Sequence, residues 1–156
     1  MGPSRIAIFV AGDHDDATIA RTVARILPDV RERIGAVYRC RDVGGLGDGG
    51  RHKLAFDYAI HNDYDILVIL HGDGHYAPES LGVLLDRVEG EHADVVIGAR
   101  PLTQEIPGRL MPGYKAVGHR LLTGFQHRLT GLQVSDPQSG YRIYRCRALR
   151  AVRDRE

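Results

Sequence analysis

Ile66-Leu67-Val68-Ile69-Leu70-His71-Gly72-Asp73-Gly74-His75-Tyr76-Ala77-Pro78-Glu79 decides how the rest of the chain is read. Its five consecutive aliphatic residues are too few to span a membrane and are bounded by polar residues, so they read as a strand buried on both faces of a parallel sheet. Polar groups then arrive at the carboxyl end of that strand. In open α/β sheets this edge is where ligands bind, because the loops leaving the strands form a crevice there. His71, Asp73 and His75 alternate with glycines, so little side-chain bulk keeps them from converging on a metal ion. One carboxylate between two imidazoles suits Mn, Zn, Fe or Co and leaves positions open for water or phosphate oxygens. The plainer reading is a polar strand-to-helix turn with exposed histidines.

Outward from this strand, helices and strands alternate. Ile6–Val10 is a first strand, and the acidic turn Asp13–Asp16 can cap a helix that carries Ile19, Val23 and Ile26 at helical spacing. Ile34–Tyr38 is a weaker strand. Gly44–Gly50 is a glycine-rich turn, and Leu54, Tyr58 and nearby alanines line the helix that follows it and ends near His61. Such a turn brings backbone N–H groups to a phosphate, although neither the Walker nor the dinucleotide glycine pattern is present.

Pro78 and Glu79 begin a helix with the stripe Leu81, Leu84, Leu85 and Val88, and Asp94–Gly98 reads as another buried strand. Arg100 follows it, on the same sheet edge as Asp73 if the two strands run parallel. Residues 101–113, rich in proline and glycine, read as a mobile loop over that edge. Residues 114–130 form an amphipathic helix with Val117, Leu121, Phe125 and Leu129 on one side and Lys115, His119, Arg120 and Arg128 as its polar complement. Pro137 and Gly140 mark a turn, and alternation from Tyr141 onward suggests a last strand.

Composition sets the limits. At 156 residues, with 43% hydrophobic and 26% charged, the chain has the makings of one soluble domain with a real core. Cys40 and Cys146 are too few for a disulfide framework and lack metal-ligand spacing, which favours a reducing, cytoplasmic setting. No signal peptide and no membrane-spanning stretch is expected, so any membrane is met peripherally. Residues 1–99 hold 10 Lys/Arg against 16 Asp/Glu, whereas residues 100–156 hold 11 against 4, which makes the carboxyl third an anion-facing candidate. No nucleic-acid partner is expected.

Taken together, strand–His71-Gly-Asp73-Gly-His75–Pro78-Glu79, Asp94-Val-Val-Ile-Gly-Ala-Arg100 and Ser135-Asp136-Pro-Gln-Ser139-Gly140-Tyr141-Arg142, in that order, resemble family 2 glycosyltransferases. The likeness is to those of the dolichol-phosphate mannosyltransferase type, which act on polyprenyl phosphates. It covers residues 44 to 149 well and the first strand and helix weakly. The resemblance implies a single-domain GT-A, Rossmann-like α/β fold: a mostly parallel sheet flanked by helices. Residues 1–99 would form its nucleotide and metal half and residues 100–156 its basic acceptor half.

It also implies a nucleotide-sugar donor whose diphosphate is bridged by Mg²⁺ or Mn²⁺ at an Asp-X-Asp motif. Asp73 stands at the second carboxylate, His71 at the first, and His75 at a further ligand position. Ala11, Asp13, Asp15, Gly47 and Arg100 fall on the donor side, with Asp15 able to reach a ribose and Arg100 a phosphate. Asp136 takes a base or orienting role. Lys115, His119, Arg120, Ser139 and Arg142 fall on the side of a polyprenyl-phosphate or other anionic acceptor.

Departures from the pattern carry their own expectations. One strand–helix unit, the one that reads the nucleobase, is missing between residues 28 and 44, which leaves a sheet edge for a second copy to cover. Asp48 stands where relatives often carry Lys. His71 in place of Asp removes a negative charge and tilts preference toward softer metals. Two alternatives therefore stand beside transfer: a degenerate nucleotide- or metal-binding module, and a metal-dependent nucleotidyltransferase or phosphohydrolase using His71, Asp73 and His75.

Overall fold

The aliphatic strand at residues 66–71 lies at the centre of a five-stranded sheet of order β2-β1-β3-β5-β4. In this computed structural model the described residues are 4–12, 15–40, 45, 47–74, 76–90, 93–99, 113–131 and 134–153. The strands are β1 (Ile6–Ala11), β2 (Ile34–Cys40), β3 (Ile66–His71), β4 (Val95–Ile97) and β5 (Arg142–Arg145). The helices are α1 (Asp16–Ala24), α2 (Pro28–Arg33), α3 (Gly47–His61), α4 (Leu81–Gly90), α5 (Gly113–Thr130) and α6 (Cys146–Arg153), with a 3₁₀ turn at Pro78–Ser80.

β1 pairs in parallel with both β2 and β3, while β5 runs antiparallel to β3 and β4. β4 therefore points the same way as β3, and the sheet is the mostly parallel α/β arrangement expected. Ile6, Ile8 and Val10 alternate with Ala7, Phe9 and Ala11, and the two sets fill opposite layers. The first layer packs on α1, α2 and α4 through Ile19, Val30, Leu81, Leu85 and Val88. In the second, Ala55 and Ala59 of α3 meet Ala7 and Ala11, so small residues on both sides let the helix lie close to the sheet. Truncating a fully buried side chain here, Leu70→Ala for example, costs about 2–5 kcal/mol.

Asp15 caps α1: its Oδ1 accepts a 2.7 Å bond from Thr18 N–H, and that bond is the chief reason its carboxyl titrates below the ordinary range. Gly35 sits where the β1–β2 register shifts, and a Cβ there would stand 3.2 Å from the Ile6 carbonyl oxygen. One strand, β2, lies between β1 and α3 among the described residues.

Three expectations change. β4 is a half-exposed edge strand, not a buried one, because among the described residues β5 is its one partner and Val95 keeps 46% of its surface. α3 buries its alanines but leaves Leu54 half exposed. α5 keeps the expected spacing, yet Leu121, Phe125 and Leu129 face outward, each at least 60% exposed. Of the loop expected over residues 101–113, Gly113 opens α5 and the rest lies outside the described residues.

Candidate active site

Register brings the strand ends level. Cys40, Ala11 and His71 share one row, and Gly72 N–H bonds the Ala11 carbonyl at 2.9 Å. Because β5 is antiparallel, its Arg142 is level with Ile69 on one side and Ile97 on the other. The residues before β5 and after β4 therefore emerge at the same edge as His71.

The turn after β3 is held from below by α1. Gly72 fits because a Cβ would stand 2.9 Å from Ile19 Cγ1, and Gly74 takes the left-handed backbone at φ +72°. The buried Thr22 hydroxyl lies 3.1 Å from the Gly72 carbonyl, and Arg25 Nη1 donates to the Gly74 carbonyl at 3.1 Å. Arg25 also grips Glu79 with Nε on Oε1 at 2.6 Å and Nη2 on Oε2 at 3.1 Å. That pairing is the leading reason the Glu79 carboxyl sits below the ordinary range. Asp73 is thus carried between two carbonyls fixed by one helix, the kind of support that pre-sets a binding side chain.

From above, the turn before β5 closes onto His71. Gly140 lies against the imidazole, where a Cβ would stand 2.7 Å from Nε2, and its N–H donates to the Tyr76 hydroxyl at 2.7 Å. The Tyr76 ring lies 6.2 Å from that of His71. Ser139 is buried and donates to the Gly98 carbonyl at 2.5 Å, while its oxygen accepts from Tyr141 N–H at 3.1 Å. Gly98 N–H returns to the Tyr141 carbonyl at 2.9 Å, and a Cβ on Gly98 would stand 2.5 Å from the Tyr141 ring. Arg142 spans the turn by bonding the Ser139 and Pro137 carbonyls at 2.8 and 2.9 Å.

The three sequence segments singled out above therefore meet at one edge. His71 and Asp73 come from the first, Gly98 from the second, and the buried Asp136 with Ser139–Tyr141 from the third. Ala11 lies in the same row, and Asp15 stands beyond it at the α1 cap. Gly47 opens α3 at φ +62°. Asp13, His75 and Arg100 lie outside the described residues, as do the side chains of Lys115, His119 and Arg120 on α5. Among the described residues no three His, Cys, Asp or Glu side chains gather as a metal cage.

The sequence places Ser139 and Arg142 on the acceptor side; in the structure Ser139 bonds the Gly98 carbonyl and the Tyr141 N–H, and Arg142 bonds the Ser139 and Pro137 carbonyls. Sequence reasoning missed Tyr76, Tyr141 and Arg51. Tyr141 is fully buried, and burial first, then the charge of Glu79, pushes its hydroxyl above the ordinary tyrosine range. Arg51 is buried on α3 with Asp48 3.7 Å away.

Residues 44–153 match the family described as glycosyl transferase family 2. Over 109 residues the chain is 33% identical to a polyprenol monophosphomannose synthase of Mycolicibacterium smegmatis, a match that covers 68% of this chain and 39% of that protein. It is also 33% identical over 109 residues to an undecaprenyl-phosphate mannosyltransferase of Micrococcus luteus, covering 68% and 42%. With the low-salt glycan biosynthesis hexosyltransferase Agl6 of Haloferax volcanii it shares 30% identity over 131 residues, covering 84% and 30%. The matching segment takes up less than half of each of these relatives. The matched span contains all three segments that meet at the His71 edge, and the chain belongs to glycosyl transferase family 2.

Proposed function

We propose that this chain transfers a sugar from a nucleoside-diphosphate sugar to a polyprenyl phosphate or another phosphate-bearing acceptor at the edge formed by His71, Asp73 and the 136–141 turn. The observation that carries the reading is the clamping of Gly140 onto His71. It joins the turn bearing Asp73 to the turn bearing Asp136, so that a donor-side and an acceptor-side carboxylate belong to one rigid unit. The names of the relatives, a polyprenol monophosphomannose synthase and an undecaprenyl-phosphate mannosyltransferase, support the acceptor class.

In the reaction an acceptor phosphate oxygen attacks the anomeric carbon, and the nucleoside diphosphate leaves with the bonding electrons. Asp73 orients the diphosphate end of the donor, and Asp136 orients the acceptor or takes a proton where the acceptor has one to give. His71 and Asp73 would hold a divalent ion by their chemistry, one imidazole and one carboxylate, and the ion would supply charge neutralisation for the leaving diphosphate. The imidazole makes Mn²⁺ or a softer ion a better match than Mg²⁺. Cys40 and Cys146 are both free thiols, which supports a reducing, cytoplasmic location.

A second reading, a nucleotide- or metal-binding module without turnover, is favoured by the single strand between β1 and α3 among the described residues. Calorimetric titration of UDP, GDP and their sugars with and without Mn²⁺ separates the two, run alongside Asp73→Ala. Metal-dependent binding that the variant loses, followed by sugar transfer to a polyprenyl phosphate, supports transfer. Binding with no turnover across donors and acceptors moves the second reading ahead.

A further inference from the structure

We propose that β2 pairs antiparallel with β2 of a second copy of this chain, so that two sheets join into one across a two-fold axis at Val37. Among the described residues β2 ends the sheet with β1 as its partner, and its other side offers a row of backbone N–H and C=O groups. Edges of this kind are ordinarily blunted by lysine, proline or a bulge. In β2 the bulge sits at the start, where Gly35 is the extra residue between Ile34 and Ala36, and from Ala36 to Cys40 the strand pairs regularly with β1. That stretch contains no lysine or proline, and its one charge, Arg39, is paired with Asp16. Apolar surface flanks it on both faces. Val37 is 45% exposed beside a groove of about 340 Å³ lined by Val23, Ile26, Arg31 and Ile34. On the opposite face Tyr58 is 40% exposed, with its ring 4.8 Å from that of Tyr38.

Self-complementarity selects the occupant. In an antiparallel pair centred on Val37 that residue faces its own copy and Ala36 faces Tyr38, so a small side chain lies opposite a large one twice. The same register carries Arg39 of each copy toward the α2 end of the other, where Asp29 and Glu32 are exposed. The basic residues there are engaged within their own copy: Arg33 pairs with Asp86 and Glu89, and Arg31 Nη2 donates to the Val23 carbonyl at 2.7 Å. Opposite charges therefore meet at both ends of the pairing. The two-fold arrangement also closes, because it uses β2 of both copies, whereas joining β2 to the opposite edge strand β4 would add copies without end.

The test is sedimentation velocity of the whole chain over a wide range of concentration under reducing conditions. The wild type is expected to show a monomer–dimer equilibrium. Val37→Lys should abolish it, because the axis sets two like charges against each other, while the circular dichroism spectrum and urea midpoint stay those of the wild type. Val37→Cys in a Cys40→Ser background puts two thiols at the axis within reach of a disulfide, and mild oxidation should yield a covalent dimer. Glu32→Lys should weaken the dimer about twofold to fivefold at low salt and less at high salt. A chain that stays monomeric at every concentration overturns the proposal. So does a dimer that Val37→Lys leaves intact, which assigns association to another surface, or one that Val37→Cys fails to cross-link, which moves the axis off this register. Pairing requires no nucleotide, so its outcome is separate from that of the donor titration.

Discussion

The Tyr76 hydroxyl accepts a 2.7 Å hydrogen bond from the Gly140 backbone N–H, joining residues 64 positions apart. Tyr76 itself is buried at 7% exposure, so this bond forms away from most solvent competition. Tyr76→Phe keeps the ring and removes the acceptor, leaving the Gly140 N–H without its partner. We expect a loss of about 1–2 kcal/mol in urea denaturation. Donor affinity should also fall, because the same bond sets the Gly140 turn over His71. A variant as stable and as donor-competent as the wild type would show the bond to be incidental.

Gly140 tests the same contact from the other side. A Cβ there would lie 2.7 Å from His71 Nε2, too close for either group to stay in place. Gly140→Ala should destabilise the fold by about 1–3 kcal/mol and displace the imidazole. His71→Ala opens the space, so the double variant should be more stable than additivity of the two single changes predicts. Equilibrium denaturation of all four proteins gives the coupling. Strict additivity would mean that the turn and the imidazole do not share that space.

How much of this was legible in the sequence depends on what fixed each feature. β3 could be read because five aliphatic residues before a polar break have few other uses, and the Asp15 cap because an acidic turn precedes a helical pattern. The edge position of β4 could not, since exposure of a strand depends on how many neighbours the topology gives it. Spacing revealed the apolar stripe of α5 but not which way it faces, because periodicity fixes a stripe's existence and not its partner. Likewise His71, Asp73 and Asp136 were visible as chemistry. The Tyr76–Gly140 bond that closes the turn over His71 was not, because a hydroxyl's distant partner leaves no mark in local pattern.

Ser139 illustrates a residue whose chemistry suggested one role and whose bonds suggest another. Its hydroxyl is buried between the Gly98 carbonyl and the Tyr141 N–H. Ser139→Ala should therefore cost about 1–3 kcal/mol of stability by leaving the N–H unmatched. Apparent affinity for an acceptor, measured on the folded fraction, should stay within about twofold, well under the tenfold that 1.4 kcal/mol represents. A large rise in acceptor KM without a loss of stability would instead put the hydroxyl in contact with the acceptor.

The Arg25–Glu79 pair ties the end of α1 to the 3₁₀ turn, and Arg25 reaches on to the Gly74 carbonyl beside Asp73. Both side chains are about two-fifths exposed, at 40% and 44%, so the pair contributes under about 1 kcal/mol in ordinary salt. Its pH dependence has a definite sign. The Arg25 hydrogen bonds lower the folded-state pKa of Glu79 against a smaller opposing effect of burial, so the folded form holds its proton less tightly than the unfolded chain does. The stabilisation is complete above the unfolded carboxyl's pKa, fades as pH falls, and is gone once pH drops below the folded value. Thermal melts of wild type and Glu79→Gln should differ by a constant amount from neutral pH down to about pH 5 and converge in more acid solution. A gap that widens on acidification would reverse the sign and assign the lowered pKa to something other than the Arg25 contact.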